Sequence, residues 1–525
     1  MSWSHGYLTE HEYTFGYYKE LSPSFQRFVA LMGGYDVPES SDDDVHMELG
    51  IGNGISVNIH AASNRGHFIG NDFNPSHALY AQKVGNASGA SISLTDESFE
   101  QLAKRTDLPM CSSISLHGIW SWISDENRAY IVDIINRCLK PGGLVYNSYN
   151  VNCGNAHFKP WRDMMYNFYQ TQTGTPMERL EATLAHFSQI FEQQPHFFED
   201  DKALKSTWDR IQIANRAYLL HEYFNNSWDC FYITDVAKQF EDAKLKFIGS
   251  TTNNHHLNHI NLSPVVLQQV HAQPNIVMSE AWRDALIKNT FRRDLYIKGG
   301  AILNQRQILN RLRKRKFMLA TPSDNFGNYL TNLKDSRSFN VDLFEGVKNV
   351  FVANDFAPVT FAQLADAVQE KYNWVSVLQL LLFKIEHNEI AVCLDEVSEQ
   401  SLQQSQNLNQ YFLSLLDEST TNLYLANPIT GCGIAFDFVS AGILRAWSEQ
   451  PDASDEELAE AVWQYLLRNE RVLVDAEGNS MASKDDNIAS LLKSVENLRP
   501  RLPWLKQLCL LPEISKIKDK QVAAV

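Results

Sequence analysis

The sequence predicts an α/β protein with a doubly wound, parallel sheet in its N-terminal half and a helix-rich C-terminal half. Two observations predict the sheet: short apolar runs alternate with helical segments between residues 45 and 150, and a glycine-rich turn follows the first run. A change of pattern beyond about residue 340 predicts the separate C-terminal part. In such a sheet, ligands bind at the carboxyl ends of the strands.

The glycine turn lies in Val45–Ala62, which reads as a strand, a turn and a helix. The turn has the pattern E-L-G-x-G-x-G, with Glu48 followed by Gly50, Gly52 and Gly54. A dinucleotide-binding G-x-G-x-x-G fingerprint needs a glycine at position 55, where isoleucine stands, and no G-K-[ST] of a P-loop follows. The turn therefore predicts only that a nucleotide-like ligand lies against the backbone at a strand-to-helix junction.

The next three strands carry polar residues to the same edge of the sheet. Asp72 ends the second strand, about 20 residues beyond the turn, where an acid suits both hydroxyls of a ribose. The third strand ends in a polar corner that can accept from an adenine amino group, and the fourth ends near His117. Beyond the turn, the candidate cofactor-binding residues of this edge are Asp72, Phe73, Asp96, Glu97, Ser98 and His117.

This series resembles the class I S-adenosylmethionine (SAM)-dependent methyltransferases, which have a Rossmann-like sheet. The shared features are E-L-G-x-G-x-G, G-x-D, the acidic corner and L-K-P-G-G before the fifth strand. Flanking segments are similar to bacterial methyltransferases with a methyltransferase regulatory domain, which include rickettsial lysine methyltransferases acting on an outer-membrane protein. These segments, within the first 320 residues or so, are Tyr13–Pro23, Leu116–Arg128, Tyr146–Asn150, Tyr218–Trp228 and Phe231–Ser250.

The resemblance implies a methyltransferase with SAM as its cofactor, and it implies a role for each candidate residue. The three glycines would line the methionine and ribose portions, Glu48 would face the amino group, and Asp72 would hold the ribose. The polar corner would meet the adenine, and His117 would lie beside the methionine. Tyr17 and Tyr18, in the N-terminal segment, are expected to fold over SAM as a lid.

Methyl transfer to a lysine needs an amine that has lost its proton, and aromatic rings both desolvate the amine and attract its ammonium form. Aromatic and polar side chains follow the fourth and fifth strands and precede the sixth. The candidate catalytic residues are Trp120, Tyr149, Asn150, His221 and Tyr223. For each aromatic residue, core packing is the alternative role.

We expect a protein lysine as the acceptor, because the resemblance, the aromatic candidates and the additional domains all favour a macromolecular substrate. Two alternatives remain open. One is an O- or N-methyltransferase for a small molecule or a glycan, and the other is a non-catalytic scaffold with a SAM-binding fold. The number of methyl groups added is not predicted.

Composition restricts the possible partners and location. Acids outnumber bases by 62 to 46, a net charge of −16, which argues against nucleic-acid binding. The basic run Arg306–Lys316 is either a patch for an acidic partner or a solvated helix face. Seven cysteines without a C-x-x-C pair are expected to be reduced. Because no signal peptide is recognised and the most apolar run, Trp374–Ile385, is shorter than the ~20 residues of a membrane span, we expect a cytoplasmic protein without membrane insertion.

A zinc site is the alternative role for His255, His256 and His259, whose spacing suits metal ligands. No second cluster of thiols or carboxylates accompanies them, so no metal is expected.

The C-terminal half is predicted to contain two winged-helix-like units, because Thr360–Val368 and Ser454–Val462 match locally and each precedes a strand-like run. The candidate recognition helix between them is apolar, so substrate docking or homodimer formation is expected rather than DNA binding. The predicted organisation is an N-terminal lid segment (1–44), a SAM-binding methyltransferase domain (45–154 and 229–262), a helical insert over the substrate side (155–228), regulatory or linker helices (263–340) and winged-helix-like domains (341–450 and 451–525).

Overall fold

The computed structural model describes residues 15–194, 196–257, 262–322, 340–417, 423–475 and 477–517. Its strands are β1 (Tyr35–Asp36), β2 (Val45–Leu49), β3 (His67–Asn71), β4 (Ile92–Thr95), β5 (Cys111–Leu116), β6 (Leu139–Val151), β7 (Cys230–Phe231), β8 (Leu245–Ser250), β9 (Phe291–Lys298), β10 (Ala301–Ile302), β11 (Lys316–Leu319), β12 (Val359–Thr360), β13 (Ile390–Val392), β14 (Leu423–Asn427) and β15 (Cys432–Phe436).

The helices of the N-terminal half are α1 (Pro23–Met32), α2 (Ile55–Ser63), α3 (Pro75–Ser88), α4 (Phe99–Lys104), α5 (Asp125–Cys138), α6 (Asn152–Asn155), α7 (Lys159–Thr171), α8 (Pro176–Gln193), α9 (Phe197–Asp200), α10 (Lys202–Ile213), α11 (Arg216–Tyr223), α12 (Ile233–Glu241), α13 (Pro264–His271), α14 (Ile276–Ile287) and α15 (Gln305–Leu312). Those of the C-terminal half are α16 (Val341–Ala353), α17 (Phe361–Ala367), α18 (Trp374–Glu386), α19 (Glu399–Ser414), α20 (Phe438–Glu449), α21 (Asp455–Arg468), α22 (Lys484–Leu498) and α23 (Leu502–Gln507).

The central sheet has the strand order β4-β3-β2-β5-β6-β9-β8, and β7 pairs with the end of β6. Strands β2 to β6 run parallel, whereas β9 is antiparallel to both of its neighbours. Helices connect the parallel strands, so the predicted α/β class with a mostly parallel, Rossmann-like sheet is confirmed. The carboxyl ends of β2, β3 and β5 lie side by side, which brings the glycine turn, Asp72 and His117 to one edge.

Strand β9 completes the sheet but lies outside the ranges predicted for the methyltransferase domain, which ended at residue 262. Its sequence, F-R-R-D-L-Y-I-K, contains charged residues, so it does not predict a buried strand. Arg292 and Asp294 are fully buried and pair at 2.8 Å, and the Arg292 guanidinium also donates to Asp284 at 2.9 Å and to Glu280 at 3.1 Å. Paired and hydrogen-bonded charges of this kind are tolerated in a core.

A helical insert, α6 to α11, connects β6 to β7 and has an aromatic core of its own. Phe158, Phe187, Trp208 and Phe224 are among its buried residues. Thr175 forms a capping box with Glu178 at the start of α8, which explains why the insert begins its longest helix there. The insert supplies residues of α11 to a cavity at the carboxyl edge of the sheet.

The first winged-helix-like prediction corresponds to α16, α17 and α18 with a three-stranded antiparallel sheet, order β12-β11-β13. Its middle strand, β11, comes from before the predicted boundary at residue 341. In the second predicted unit, the described residues of 451–517 form helices and a single bridge between Val474 and Ser480. The strand-like run predicted after Ser454–Val462 is therefore not a strand over residues 471–475, apart from this bridge.

The C-terminal half shares one hydrophobic core with α1 and α2 of the N-terminal half. Helix α19 lies on α2 and α3, where Ser405 donates to the carbonyl of Ala62 at 3.1 Å and Gln404 donates to that of Gly89 at 3.0 Å. The two halves are therefore packed together.

The basic run forms α15 and the start of β11, and three of its arginines pair with acids of this chain. The ion pairs are Arg311–Asp36, Arg313–Asp366 and Arg315–Asp395. Because these three arginines are paired within the chain, less positive charge is available for binding an external acidic partner. Among the helices that the structure describes, none has the length and apolar character of a membrane span.

Candidate active site

The turn between β2 and α2 is held in a conformation that favours glycine. Gly50, Gly52 and Gly54 have φ angles of +74°, +54° and +73°. A Cβ atom on Gly50 would lie 2.3 Å from Cδ1 of Ile119, and one on Gly54 would lie 2.4 Å from Cβ of Ala81. Side chains at these positions would be strained and would also clash.

Asp72 joins this turn to the end of β3. Its Oδ2 accepts a hydrogen bond from the Gly52 amide at 2.9 Å, and its Oδ1 accepts one from the Asn74 amide at 3.0 Å. Oδ1 also lies 3.2 Å from Nδ1 of His77. Since a carboxylate has about four acceptor positions, about one remains on Oδ2 for a ligand hydroxyl. To accept hydrogen bonds from two ribose hydroxyls, as predicted, Asp72 therefore has to release one of these three partners.

A cavity opens over the turn and is walled by most of the predicted cofactor residues. Those that line it are Tyr18, Glu48, Gly50, Gly52, Gly54, Asp72, Phe73, Ser98 and His117. The cavity is also lined by Ile51 and Asn53 of the turn, by Trp122, and by residues that the sequence reasoning missed: Phe99, Ile119 and residues 225–227. Phe99 directly follows the polar corner, so its position in sequence is the signal that could have identified it. Residues 225–227 come from the insert and lie within Tyr218–Trp228, so the resemblance of that segment to known methyltransferases is the signal that could have identified them.

Three predicted cofactor residues do not line the cavity. The Tyr17 hydroxyl instead accepts from the Gly433 amide at 2.6 Å. Glu97 pairs with Arg105 at 3.0 Å, and Asp96 is exposed. Glu97 of the acidic corner is therefore engaged in an ion pair with Arg105. Ser98 is the corner residue that lines the cavity.

The electrostatics of the cavity suit a nucleoside with a cationic tail. Burial raises the pKa of the Glu48 carboxyl to about 8, so a bound cation would stabilise its ionised form. Burial lowers the pKa of His117 to about 3, with a smaller contribution from Arg293, which keeps the imidazole neutral at physiological pH. The glycine turn, Asp72 and Glu48 thus supply close backbone approach, a hydroxyl acceptor and an ammonium partner. These residues fit SAM.

A second cavity, of about 310 Å³, adjoins the first one. Tyr18, His117, Gly118 and Trp122 line both cavities. The rings of Tyr18 and His117 stack with a centroid distance of 3.7 Å, and Nδ1 of His117 lies 2.7 Å from the hydroxyl of Tyr146. The second cavity and the cofactor cavity are therefore adjacent, and the stacked rings of Tyr18 and His117 line both of them.

The second cavity contains three of the five predicted catalytic residues, Asn150, His221 and Tyr223. The other two require a correction. Trp120 and Tyr149 are fully buried: the Trp120 ring packs on Phe240, and the Tyr149 hydroxyl donates to Asp294 at 2.6 Å. They follow or lie on core strands, where inward-facing aromatic residues stabilise the sheet rather than contact an acceptor.

Glu222 stands between His221 and Tyr223 in the sequence H-E-Y, and the structure adds it to the candidate site residues. It lines the second cavity together with Tyr218 and Tyr223 of the same helix, and its own backbone carbonyl accepts from Nε1 of Trp122 at 3.0 Å. Burial raises the pKa of its carboxyl to about 7. A carboxyl with this pKa can accept and release a proton near neutral pH.

The alternative zinc site gains no support from the described histidines. Nε2 of His256 lies 2.7 Å from the Ser250 carbonyl, and burial lowers the pKa of His255 to about 3. His259 lies outside the described residues. In the described part of the chain, no group of three or more His, Cys, Asp or Glu side chains is arranged to hold a metal ion.

Comparison with known proteins places this architecture in a family. A family model described as "Predicted methyltransferase regulatory domain" matches residues 215–298, which span α11 to β9 and include the last two strands of the sheet. The protein sll1526 of Synechocystis is 31% identical over 522 residues, 97% of this chain and 99% of that protein. RP789 of Rickettsia prowazekii is 23% identical over 385 residues, 68% of this chain and 66% of that protein.

A solved structure has a similar fold along nearly the whole chain. PKMT2 from Rickettsia typhi in complex with AdoHcy superposes with a TM-score of 0.68 at 16% identity, over 95% of this chain and 99% of that one. Its fold is that of the class I SAM-dependent methyltransferases, and residues 215–298 match the model of a methyltransferase regulatory domain. The chain belongs to the same protein family as sll1526.

Proposed function

We propose that this protein transfers methyl groups from SAM to lysine side chains of a protein substrate. The observation that carries the proposal is the meeting of two chemically different cavities at Tyr18, His117, Gly118 and Trp122. One cavity suits a nucleoside, and the other suits an amine on a hydrocarbon chain. A transferable methyl group belongs at such a junction.

SAM, when bound, supplies an electrophilic methyl group. The residues of the first cavity bind and orient it: the glycine turn admits the ligand to the backbone, Asp72 offers an acceptor for the ribose, and Glu48 pairs with the amino group. Closely fitted walls exclude water and fix the reacting atoms in line, which is the main contribution a protein can make to this reaction.

The second cavity provides what a lysine acceptor requires. Its aromatic wall is formed by Tyr18, Trp122, Phe158, Tyr218, Tyr223 and Phe291. Aromatic faces attract an ammonium group by about 0.5–2 kcal/mol and desolvate it, which lowers the lysine pKa from its ordinary ~10.4. Arg210 also lines the cavity and disfavours a second positive charge there, so it favours loss of the proton.

Glu222 is the group to receive that proton. Its carboxylate attracts the incoming ammonium, and one N–H proton passes to an Oε atom of Glu222, which leaves a neutral amine with a free lone pair. After transfer, the carboxyl releases the proton to solvent, since its pKa of about 7 permits both states at neutral pH. Asn150 and His221 lie on the same cavity wall and orient the amine.

The test is to incubate the full chain with methyl-labelled SAM and, separately, soluble proteins, membrane proteins and a protein-free extract. Label recovered on lysine residues of a protein, as read by peptide mass spectrometry, is the expected result. Label confined to low-mass compounds or glycans would support a small-molecule or glycan methyltransferase instead. A chain that binds S-adenosylhomocysteine yet labels nothing in any fraction would support a non-catalytic scaffold.

A further inference from the structure

We propose that the C-terminal half controls the affinity of the SAM site through residues 16–22, which we call the strap. In this proposal Tyr17 and Lys19 are positioning residues that hold Tyr18 against the cofactor cavity. The inference rests on the proposed function, since it takes the first cavity as the SAM site.

One side of the strap belongs to the cofactor site. Gly16, Tyr18 and Leu21 line the cavity. The Tyr18 amide donates to Oγ of Ser56 on α2 at 2.9 Å, and the Tyr18 ring stacks on His117. Tyr18 has an extended backbone, with φ −131° and ψ 106°. Because successive side chains of an extended chain point to opposite sides, its two neighbours face away from the cavity.

Those two neighbours contact the C-terminal half. The Tyr17 hydroxyl accepts from the Gly433 amide of β15 at 2.6 Å. The Lys19 ammonium donates to the Ile385 carbonyl at the end of α18 at 2.5 Å, and to Oδ1 of Asn388 at 2.6 Å. An ammonium at the carboxyl end of a helix is also favoured by the helix dipole. The strap is thus bonded to two separate elements of the C-terminal half, a hairpin strand and a helix end.

The same hairpin is also bonded to the end of helix α2. The Gly431 carbonyl, in the β14–β15 turn, accepts from Oγ of Ser22 at 2.8 Å and from Nδ2 of Asn64, just after α2, at 2.8 Å. Helix α2 begins at the glycine turn. The hairpin is therefore bonded both to the strap and to the helix that forms the floor of the cofactor site.

Polar anchors matter here because the strap is not densely packed on its outer side. A third cavity, of about 530 Å³, lies between the strap and the C-terminal half, and Tyr18, Lys19 and Glu386 are among its lining residues. Tyr18 thus separates this cavity from the cofactor cavity. Because there is space on the outer side of Tyr18, the Tyr17 and Lys19 hydrogen bonds contribute to fixing the position of this residue.

The inference is tested with Lys19→Met in the full chain, which keeps the length of the hydrocarbon stem and removes the ammonium. The matched control is Lys238→Met, at an exposed lysine on α12, a helix that packs on β8 and α14. Lys19→Arg, which can donate to the same acceptors, is the rescue variant. Tyr17→Phe is a second variant on the same side and is expected to act in the same direction.

Calorimetric titration with S-adenosylhomocysteine should show binding about tenfold weaker in Lys19→Met, the loss expected for a charge-assisted hydrogen bond, and near wild type in the control. Hydrogen exchange at the Tyr18 amide should be faster in Lys19→Met than in wild type and in the Lys238→Met control. Equal affinities and exchange rates in wild type and Lys19→Met would overturn this inference alone. Failure of the wild type to bind would overturn the proposed function and this inference together.

Discussion

The carboxylate of Asp72 accepts a hydrogen bond from the backbone amide of Gly52 at 2.9 Å, which joins the acid after β3 to the glycine turn after β2. The two motifs, 20 residues apart in sequence, are therefore one bonded unit. A change in either of them alters both the shape of the turn and the acceptor that it presents to a ligand.

Asp72→Ala should abolish measurable SAM binding, because it removes the ribose acceptor and loosens the turn. It also leaves the amides of Gly52 and Asn74 without their acceptor, at a cost of about 1–3 kcal/mol in unfolding free energy per buried group. Asp72→Asn keeps one carbonyl oxygen and should bind with intermediate affinity. Calorimetry and thermal unfolding measure both effects, and wild-type affinity in Asp72→Ala would contradict the assignment.

Gly50→Ala should weaken SAM binding far more than Gly142→Ala, although both glycines have positive φ angles, +74° and +81°. A Cβ on Gly50 meets Ile119 at 2.3 Å, whereas a Cβ on Gly142 meets nothing within 4 Å. Gly142→Ala therefore controls for backbone strain and isolates the effect of filling the turn. Gly52→Val is also expected to abolish binding, because Gly52 has a φ angle of +54° and lines the cavity, which a valine side chain would fill. If the two alanine variants bind SAM equally well, the turn is not in contact with the ligand.

Glu48→Gln should change how the stability of the unliganded protein depends on pH. The pKa of Glu48 is raised from its ordinary 4.5 to about 8, so the folded state retains this proton more firmly than the unfolded state. The contribution of this proton to the free energy of unfolding is complete below the unfolded-state pKa of about 4.5. It is lost as pH rises through the folded-state pKa of about 8. Glutamine cannot ionise, so the variant should lose less stability than wild type between about pH 5 and about pH 9 in urea unfolding. Parallel curves would show that Glu48 is not protonated in the folded protein.

Glu222→Gln should lower the rate of methyl transfer and remove a step in its pH dependence. In the wild type, kcat/KM should rise as pH passes the Glu222 pKa of about 7, because only the carboxylate can accept the lysine proton. Affinity for S-adenosylhomocysteine should be unchanged, since Glu222 lines the second cavity and not the first. A variant that keeps both the rate and its dependence near pH 7 would exclude Glu222 as the base.

Trp120→Phe and His221→Ala separate core packing from acceptor binding. Trp120 is fully buried in the core, so Trp120→Phe should lower the unfolding free energy by roughly 1–3 kcal/mol without a specific effect on the acceptor. His221 lines the second cavity, so His221→Ala should reduce turnover and leave cofactor affinity near normal. Denaturant unfolding and steady-state kinetics on both variants measure these effects. Lower turnover in Trp120→Phe and lower stability in His221→Ala would exchange the roles of the two residues.

Local patterns predicted those parts of the fold that neighbouring residues determine. The glycines and Asp72 mark a turn and a strand end, and each is set by backbone conformation within a few residues. Strand β9 could not be predicted in this way, because its burial depends on Arg292 meeting Asp284 and Glu280 from α14. Without those partners, the same sequence would read as an exposed segment.

The candidate site shows the same difference between features set by neighbouring residues and features set by distant ones. The residues at the strand ends were predictable, but contacts across long sequence separations were not. Tyr17 and Tyr18 are adjacent and chemically identical, yet one lines the cofactor cavity and the other bonds to Gly433, more than 400 residues away. Trp120 and Trp122 differ similarly, since a single 3₁₀ turn places the first in the core and the second at the junction of the cavities.

The most direct test of the central claim is a crystal structure of the full chain with S-adenosylhomocysteine. The nucleoside should lie over the turn formed by Gly50, Gly52 and Gly54, with a ribose hydroxyl within hydrogen-bonding distance of Oδ2 of Asp72 and its sulfur facing Tyr18 and His117. A nucleoside bound elsewhere, or a turn covered by side chains of the chain itself, would contradict the account.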